Sequence, residues 1–149
     1  MSRPIVLLLN GVNLDLLGRR QPHIYGHATL DDHVKAAQAA AEAFGLELEH
    51  VQSNHEGELV AAVHAARGRC AALVVNAGAF THYAWGLSDA LRAFEGPIVE
   101  VHISNPVSRE AWRHTSVVSP VATGIISGLG GHGYTLAIQA VAHLLDHDA

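Results

Sequence analysis

The sequence predicts an α/β protein, a three-layer sandwich with a five-stranded parallel sheet of order 2-1-3-4-5 and helices on both faces. Three observations carry that expectation. Short apolar runs alternate with helical patterns along the whole chain. Most of the runs are continuously apolar, as strands buried on both faces are. Each run is followed by a helix-length segment, and right-handed crossovers then place helices on both sides of a parallel sheet. No internal repeat, low-complexity stretch or Pro/Gly/Ser linker divides the 149 residues, so one domain over 1–149 is expected.

Ile5 to Leu9 reads as the buried first strand, ended by the turn formers Asn10 and Gly11. Polar, glycine-dotted sequence then runs to His27, a long connection of the kind that serves as an active-site lid, with Gly18 and Gly26 as hinges. Thr29 and Asp32 have capping-box spacing, and Leu30, Val34, Ala37, Ala41 and Phe44 form the apolar stripe of a helix stopped at Gly45. Leu46 to Val51 alternates apolar with charged residues, as an edge strand does. Asn54 is the expected cap of a helix over 56–67 that Gly68 stops, and Ala71 to Val75 is the third strand. A helix over 84–94 leads to a fourth strand, Pro97 to Ile103. A short helix near 109–113, a strand near 121–127 and a helix over 133–145 follow, with Asp146-His147-Asp148 as a frayed tail. This succession is that of flavodoxin-like folds, in which ligands sit beyond the carboxyl ends of the strands.

Composition removes several classes of function. Formal net charge is −5, and the nine basic residues are scattered, so the phosphate-neutralising stripe of a nucleic-acid binder is missing. No apolar run approaches the ~20 residues of a membrane span, and the apolar stretch after Ser2-Arg3-Pro4 is too short for a secretory signal, so a soluble cytoplasmic protein is expected. The single cysteine, Cys70, reads as a small apolar side chain. Twelve histidines invite a metal, yet none shows the i, i+4 pairing around a glutamate of a helical zinc protease, and no metal is expected. Gly128 to Gly133 follows the last strand, with no acidic residue ending a later strand to hold a ribose. It reads as a tight turn into the last helix.

Polar side chains gather just after the strands: Asn10, Asn13, Arg20 and Tyr25; then Asn76, Gly78 and His82; then Glu100, His102, Ser104 and Asn105. Such groups hold a polyhydroxylated, uncharged ring by directed hydrogen bonds, and Arg109 and Arg113 could hold a carboxylate through paired donors. Leu9-Asn10-Gly11-Val12-Asn13-Leu14-Asp15-Leu16-Leu17-Gly18-Arg19-Arg20-Gln21-Pro22 with Tyr25-Gly26 resembles the opening of the type II 3-dehydroquinate dehydratases. Gln52 to Leu59, Asn76 to His82, Glu100 to Asn105, Arg109 to His114 and Gly128 to Tyr134 resemble later blocks of that family in the right order. The likeness spans essentially the whole chain. It departs at Val12 for a usual proline, at Tyr83-Ala84-Trp85 for small hydroxyl residues, and at Pro106 and His132.

The resemblance implies a cofactor-free and metal-free lyase of the shikimate pathway. It would convert 3-dehydroquinate to 3-dehydroshikimate by anti elimination through an enolate, in aromatic biosynthesis or quinate breakdown. Tyr25 would be the base and His102 the acid. Asn13 would hold a water against the enolate oxygen, Glu100 would orient His102, and Asn76 would fix His102 or the ring. His82, Ile103, Ser104 and Arg113 would hold the hydroxyls and the carboxylate. The family's assembly implies a dodecamer of four trimers in which Asp89 reaches a neighbour's site.

A phenol ordinarily ionises near pH ~10, so a tyrosine base near neutrality needs cations beside it, a demand on the order of 3 to 4 kcal/mol. Arg20, five residues from Tyr25, and Arg109, on approach of the closed loop, are the available cations. The other route to this dehydration uses a buried lysine imine, and Lys35, the only lysine, lies on a helix face expected to be wet. Taken singly, Tyr25 could be a packing residue, His102 a satisfied core histidine, Glu100 an internal carboxylate, Arg113 a solvated charge and Asp89 a surface charge. Their settings favour function for Tyr25, His102, Glu100 and Arg113, while both readings of Asp89 stay open. The alternatives are a flavodoxin-like flavin- or phosphate-binding module and a non-catalytic scaffold that keeps the family's assembly.

Overall fold

The structure, a computed structural model, describes residues 2–148. Its sheet is wholly parallel and has the expected order β2-β1-β3-β4-β5. The strands are β1 (Ile5–Asn10), β2 (Glu47–Gln52), β3 (Ala72–Asn76), β4 (Ile98–His102) and β5 (Gly124–Ser127). The helices are α1 (Pro22–Tyr25), α2 (Leu30–Ala43), α3 (Glu56–Ala66), α4 (Trp85–Arg92) and α5 (His132–Asp148). The fold is flavodoxin-like. No helix among the described residues is long and apolar enough to cross a membrane.

Successive side chains of a strand point to opposite faces, so the central strands feed two cores. Val6, Leu8, Val74 and Val101 pack with Val34 and Ala37 of α2 and Ile138 and Val141 of α5. Leu7, Leu9, Leu73 and Val75 pack with Leu59 and Val63 of α3 and Leu87 and Leu91 of α4. Thr29 closes the capping box of α2: its Oγ1 accepts from the Asp32 N–H at 3.2 Å, while the Asp32 carboxylate accepts from the Thr29 N–H at 2.9 Å.

Several local expectations are corrected. Asn54 does not cap α3; His55 holds that place, and the Asn54 Oδ1 instead accepts from the Asn13 N–H at 2.8 Å. Phe44 lies outside the apolar stripe and is exposed, because α2 ends at Ala43. The segment between β1 and α2 contains a turn of 3₁₀ helix over Leu14–Leu16 and the short helix α1, which has Pro22 at its start, where the missing N–H costs nothing. The short helix near 109–113 is a 3₁₀ turn over Ala111–His114 that excludes Arg109. The last strand is only four residues long, since Val121 belongs to a 3₁₀ turn with Ser119. The backbone of α5 continues through the expected tail to Asp148.

Candidate active site

The polar rim begins in the strand register. Gln52, Asn10 and Asn76 stand side by side at the ends of β2, β1 and β3. Just beyond, the first two exits touch: the Gly11 N–H donates to the Asn76 carbonyl at 2.8 Å, and a Cβ on Gly11 would lie 2.1 Å from the Ala77 oxygen. Only glycine fits there. Asn13 follows in left-handed geometry, φ 66°, which asparagine tolerates better than most residues. At the far side, the glycine-rich turn clasps the end of β4: the Gly128 N–H donates to the His102 carbonyl at 3.2 Å and the Gly130 N–H to the Ile103 carbonyl at 3.1 Å.

Between these exits opens a pocket holding roughly 650 Å³ of empty space, its mouth included. The β1 exit lines it with Asn13, Leu14 and Leu17; the following loop with Arg20 and Tyr25; the β3 exit with Asn76, Gly78 and His82. The β4 exit contributes His102, Ile103, Ser104, Arg109 and Arg113. The sequence therefore placed eleven of its twelve candidate residues near this rim, and ten of them line one pocket; Glu100 stands behind His102.

Tyr25 ends α1. Arg109 Nη1 donates to its hydroxyl at 2.7 Å and to the Ser104 hydroxyl at 3.2 Å, so one guanidinium ties the loop to the β4 exit. The Arg20 and Arg109 guanidinium carbons lie 5.3 and 5.2 Å from the Tyr25 ring centroid. Two guanidinium groups thus flank one phenol ring. Gly18 and Gly26 bracket the loop at φ 85° and 83°, and at Gly18 a Cβ would also meet the His27 carbonyl at 2.7 Å.

His102 closes β4, and its Nε2 lies 2.6 Å from Glu100 Oε2. Glu100 is only 1% exposed. Burial by itself pushes its carboxyl up, but hydrogen bonds from His102, Ser119 and Ser116 outweigh burial and hold it below the ordinary carboxylate value. An ionised carboxylate can only accept, so Nε2 of His102 carries the hydrogen and Nδ1 is left for exchange with a ligand. His82 Nδ1 lies 2.6 Å from the Thr115 carbonyl, which fixes that proton too and leaves Nε2 as an acceptor. Burial lowers the His82 pKa, with the Thr115 carbonyl opposing, so the ring is neutral near neutral pH.

The family described as Dehydroquinase class II matches residues 4–142 of this chain. The chain belongs to the class II dehydroquinases. 3-dehydroquinate dehydratase 2 of Pseudomonas putida is 52% identical over 147 residues, covering 99% of each chain. The catabolic 3-dehydroquinase of Aspergillus clavatus is 51% identical over 137 residues, covering 92% of this chain and 91% of the relative. The crystal structure of type II dehydroquinase from Propionibacterium acnes superposes with a TM-score of 0.91 at 41% identity, covering 95% of this chain and 98% of that one. The protein is thus an enzyme, a dehydratase of the dehydroquinase type.

Asn76, Asp89 and Arg113 take placements in this dehydroquinase that its sequence did not specify. The Asn76 side chain makes no hydrogen bond to His102; its amide donates to Tyr134 and its Oδ1 accepts from the Gly78 N–H. Asp89 is exposed on α4 and lines no part of this chain's pocket. Arg113 faces the pocket with its Nε paired to Glu110 and its guanidinium 4.1 Å from the Trp112 ring centroid. Ser116, Ser119 and Tyr134 carry site geometry that motif reading missed. The two serines sit in a polar stretch with no spacing rule linking them to Glu100, whereas Tyr134 closed a quoted block without a role. Lys35 is 2.9 Å from Asp31 with its side chain 71% exposed, far from the setting of an imine-forming lysine.

Proposed function

We propose that this dehydroquinase removes water from 3-dehydroquinate by anti elimination through an enolate, with Tyr25 as base and His102 as acid. The Tyr25 phenolate takes the proton from the carbon beside the ketone, and the C–H electron pair becomes the enolate. The Arg109 guanidinium, which donates to the phenol oxygen, and that of Arg20 beside the ring are the cations this step calls on. The enolate re-forms the ketone as the carbon–oxygen bond of the leaving hydroxyl breaks. His102 supplies the proton from Nδ1, so water departs and the conjugated enone remains. Glu100, ionised and fixed by two serines, orients the imidazole and stabilises its cation.

Asn13 holds a water against the enolate oxygen, Asn76 and neutral His82 meet ring hydroxyls, and Ile103, Ser104 and Arg113 complete the cradle for hydroxyls and carboxylate. No step calls on a metal or cofactor. The chain assembles as a dodecamer of four trimers, in which Asp89 enters a neighbour's pocket, and it works in the cytoplasm on a small molecule alone. The observation that carries the reading is the single hydrogen bond from Arg109 to Tyr25 in the pocket that also holds the Glu100-bound His102.

The decisive assay follows the absorbance of the enone when purified protein meets 3-dehydroquinate, with and without borohydride. Turnover that survives borohydride is expected, because no imine forms. Inactivation by borohydride only in the presence of substrate would replace the enolate route with an imine.

A further inference from the structure

A chain of side-chain hydrogen bonds lies buried between α5 and the sheet, on the face opposite Glu100. Tyr134, 1% exposed, is at its centre. The Tyr134 hydroxyl donates to Asn10 Oδ1 at 2.6 Å and accepts from Asn76 Nδ2 at 2.9 Å. Its direction is fixed from the pocket end. The Gly78 N–H can only donate, and it lies 3.2 Å from Asn76 Oδ1. The Asn76 amide therefore turns its NH₂ to Tyr134, whose own hydrogen goes to Asn10. Asn10 Nδ2 then meets His50 Nε2 at 3.1 Å, and the ring nitrogen accepts.

Every bond in this series has the same polarity, from the Gly78 amide to the edge strand, and aligned chains of this kind strengthen one another. The protonation states agree with it. Burial pushes the Tyr134 phenol well above the usual range, so it remains a donor. Burial lowers His50 from its ordinary value, so its ring remains an acceptor. Asn76 and Gly78 are the members of the series that line the pocket. Of the two hydrogens on Asn76 Nδ2, one goes to Tyr134; the other has no protein partner among the described residues. Asn76 itself is 2% exposed, so the loose rotation of a surface amide is closed to it.

We infer that Tyr134 is a positioning residue for the dehydration: its hydroxyl locks the Asn76 amide so that the remaining Nδ2–H is presented to a hydroxyl of the bound ring. The inference rests on the reading that this pocket binds 3-dehydroquinate. Removing the Tyr134 hydroxyl leaves the Asn10 oxygen and one Asn76 hydrogen buried without partners, and the amide can then satisfy itself only by turning away from its place.

Tyr134→Phe keeps the ring and removes both bonds. Its kcat/KM should fall roughly 10- to 100-fold, the scale of a misplaced positioning group. A loss transmitted through Asn76 vanishes when Asn76 is already alanine, so a double-mutant cycle of Tyr134→Phe with Asn76→Ala should be strongly non-additive. Turnover within twofold of the parent, or losses that simply add, would overturn the inference. Should Tyr134→Phe fail to fold, a crystal structure of the unmodified enzyme with 3-dehydroshikimate decides. Asn76 Nδ2 must lie within hydrogen-bond distance of both Tyr134 and a ring hydroxyl; a ring that ignores Asn76 refutes the proposal. A Tyr134→Phe enzyme of normal activity beside an inactive Tyr25→Phe enzyme sinks this inference alone, whereas an active Tyr25→Phe enzyme sinks the reading beneath it.

Discussion

Tyr25 and His102 line one pocket but are held by different means. Tyr25 ends a four-residue helix on a loop bracketed by two left-handed glycines, and its hydroxyl is fixed by one guanidinium reaching in from another strand exit. His102 ends a central strand, and its partner Glu100 is buried and also satisfied by two serines. Under the proposed mechanism, the contrast teaches that an acid can be built into the sheet, while a base, which must admit a substrate before meeting it, can be attached to a loop by a guanidinium. Charge holds without close packing. A buried carboxylate tolerates no such looseness, since each unmet acceptor costs about 1 to 3 kcal/mol.

The sharpest break in that comparison would come from Tyr25→Phe. On the loop side chemistry and stability are separable, so kcat should fall about 10²- to 10⁴-fold, the usual span of a general base. Its thermal midpoint should stay within a degree or two of the parent. A large drop in the midpoint would mean that the loop is structural after all.

Glu100→Gln probes the sheet side, where the two are not separable. The amide group faces three donors, so urea unfolding should record a loss of about 3 kcal/mol alongside a fall in kcat. Unchanged stability would remove the contrast between the two halves. Smaller is Arg109→Lys, which keeps the charge but loses the planar, longer-reaching guanidinium whose Nη1 donates to both Tyr25 and Ser104. A loss of about tenfold in kcat/KM is expected at fixed salt. An unaffected enzyme would assign the loop's attachment to Arg20 alone.

The smallest effect is on stability against pH. Burial lowers the pKa of His33, His50 and His82 from the ordinary 6.5, so the unfolded chain binds protons there before the folded one does. Stability should be full above pH 6.5 and decline as pH falls through the folded values. Glu100 adds a second, lower loss, since its carboxyl sits below the ordinary 4.5 and its contribution goes as pH falls through that depressed value. Thermal midpoints flat from pH 7.5 to 5 would mean that these rings accept protons in place.

Much of the architecture was legible because it rests on local and periodic signals. Five continuous or alternating apolar runs, separated by helix-length segments, were enough for strand number, and the order followed by analogy with doubly wound, flavodoxin-like sheets. Thr29 and Asp32 could be paired because a capping box lies within four residues. The rim at the strand ends followed from the general placement of sites in doubly wound sheets. Asn54 was misread because its cap competes with a bond to Asn13, 41 residues away, that no local pattern encodes. Phe44 was misread because periodicity marks a stripe but not where the helix stops. Ser116 and Ser119 escaped notice for a similar reason: a hydroxyl acquires its partner only when the chain after β4 folds back over Glu100.

By itself, the sequence determined the layer order, the family and the set of side chains gathered at one end of the sheet. Those depend on period, turn chemistry and residue identity, all written along the chain. The tertiary structure alone decided that Arg109 reaches Tyr25 across 84 positions, and that Tyr134 joins Asn10 across 124. It also decided that Asn76 spends part of its amide on that tyrosine rather than on His102. Hydrogen bonds act over about 3 Å, and only the packed sheet and α5 bring such distant residues within that range.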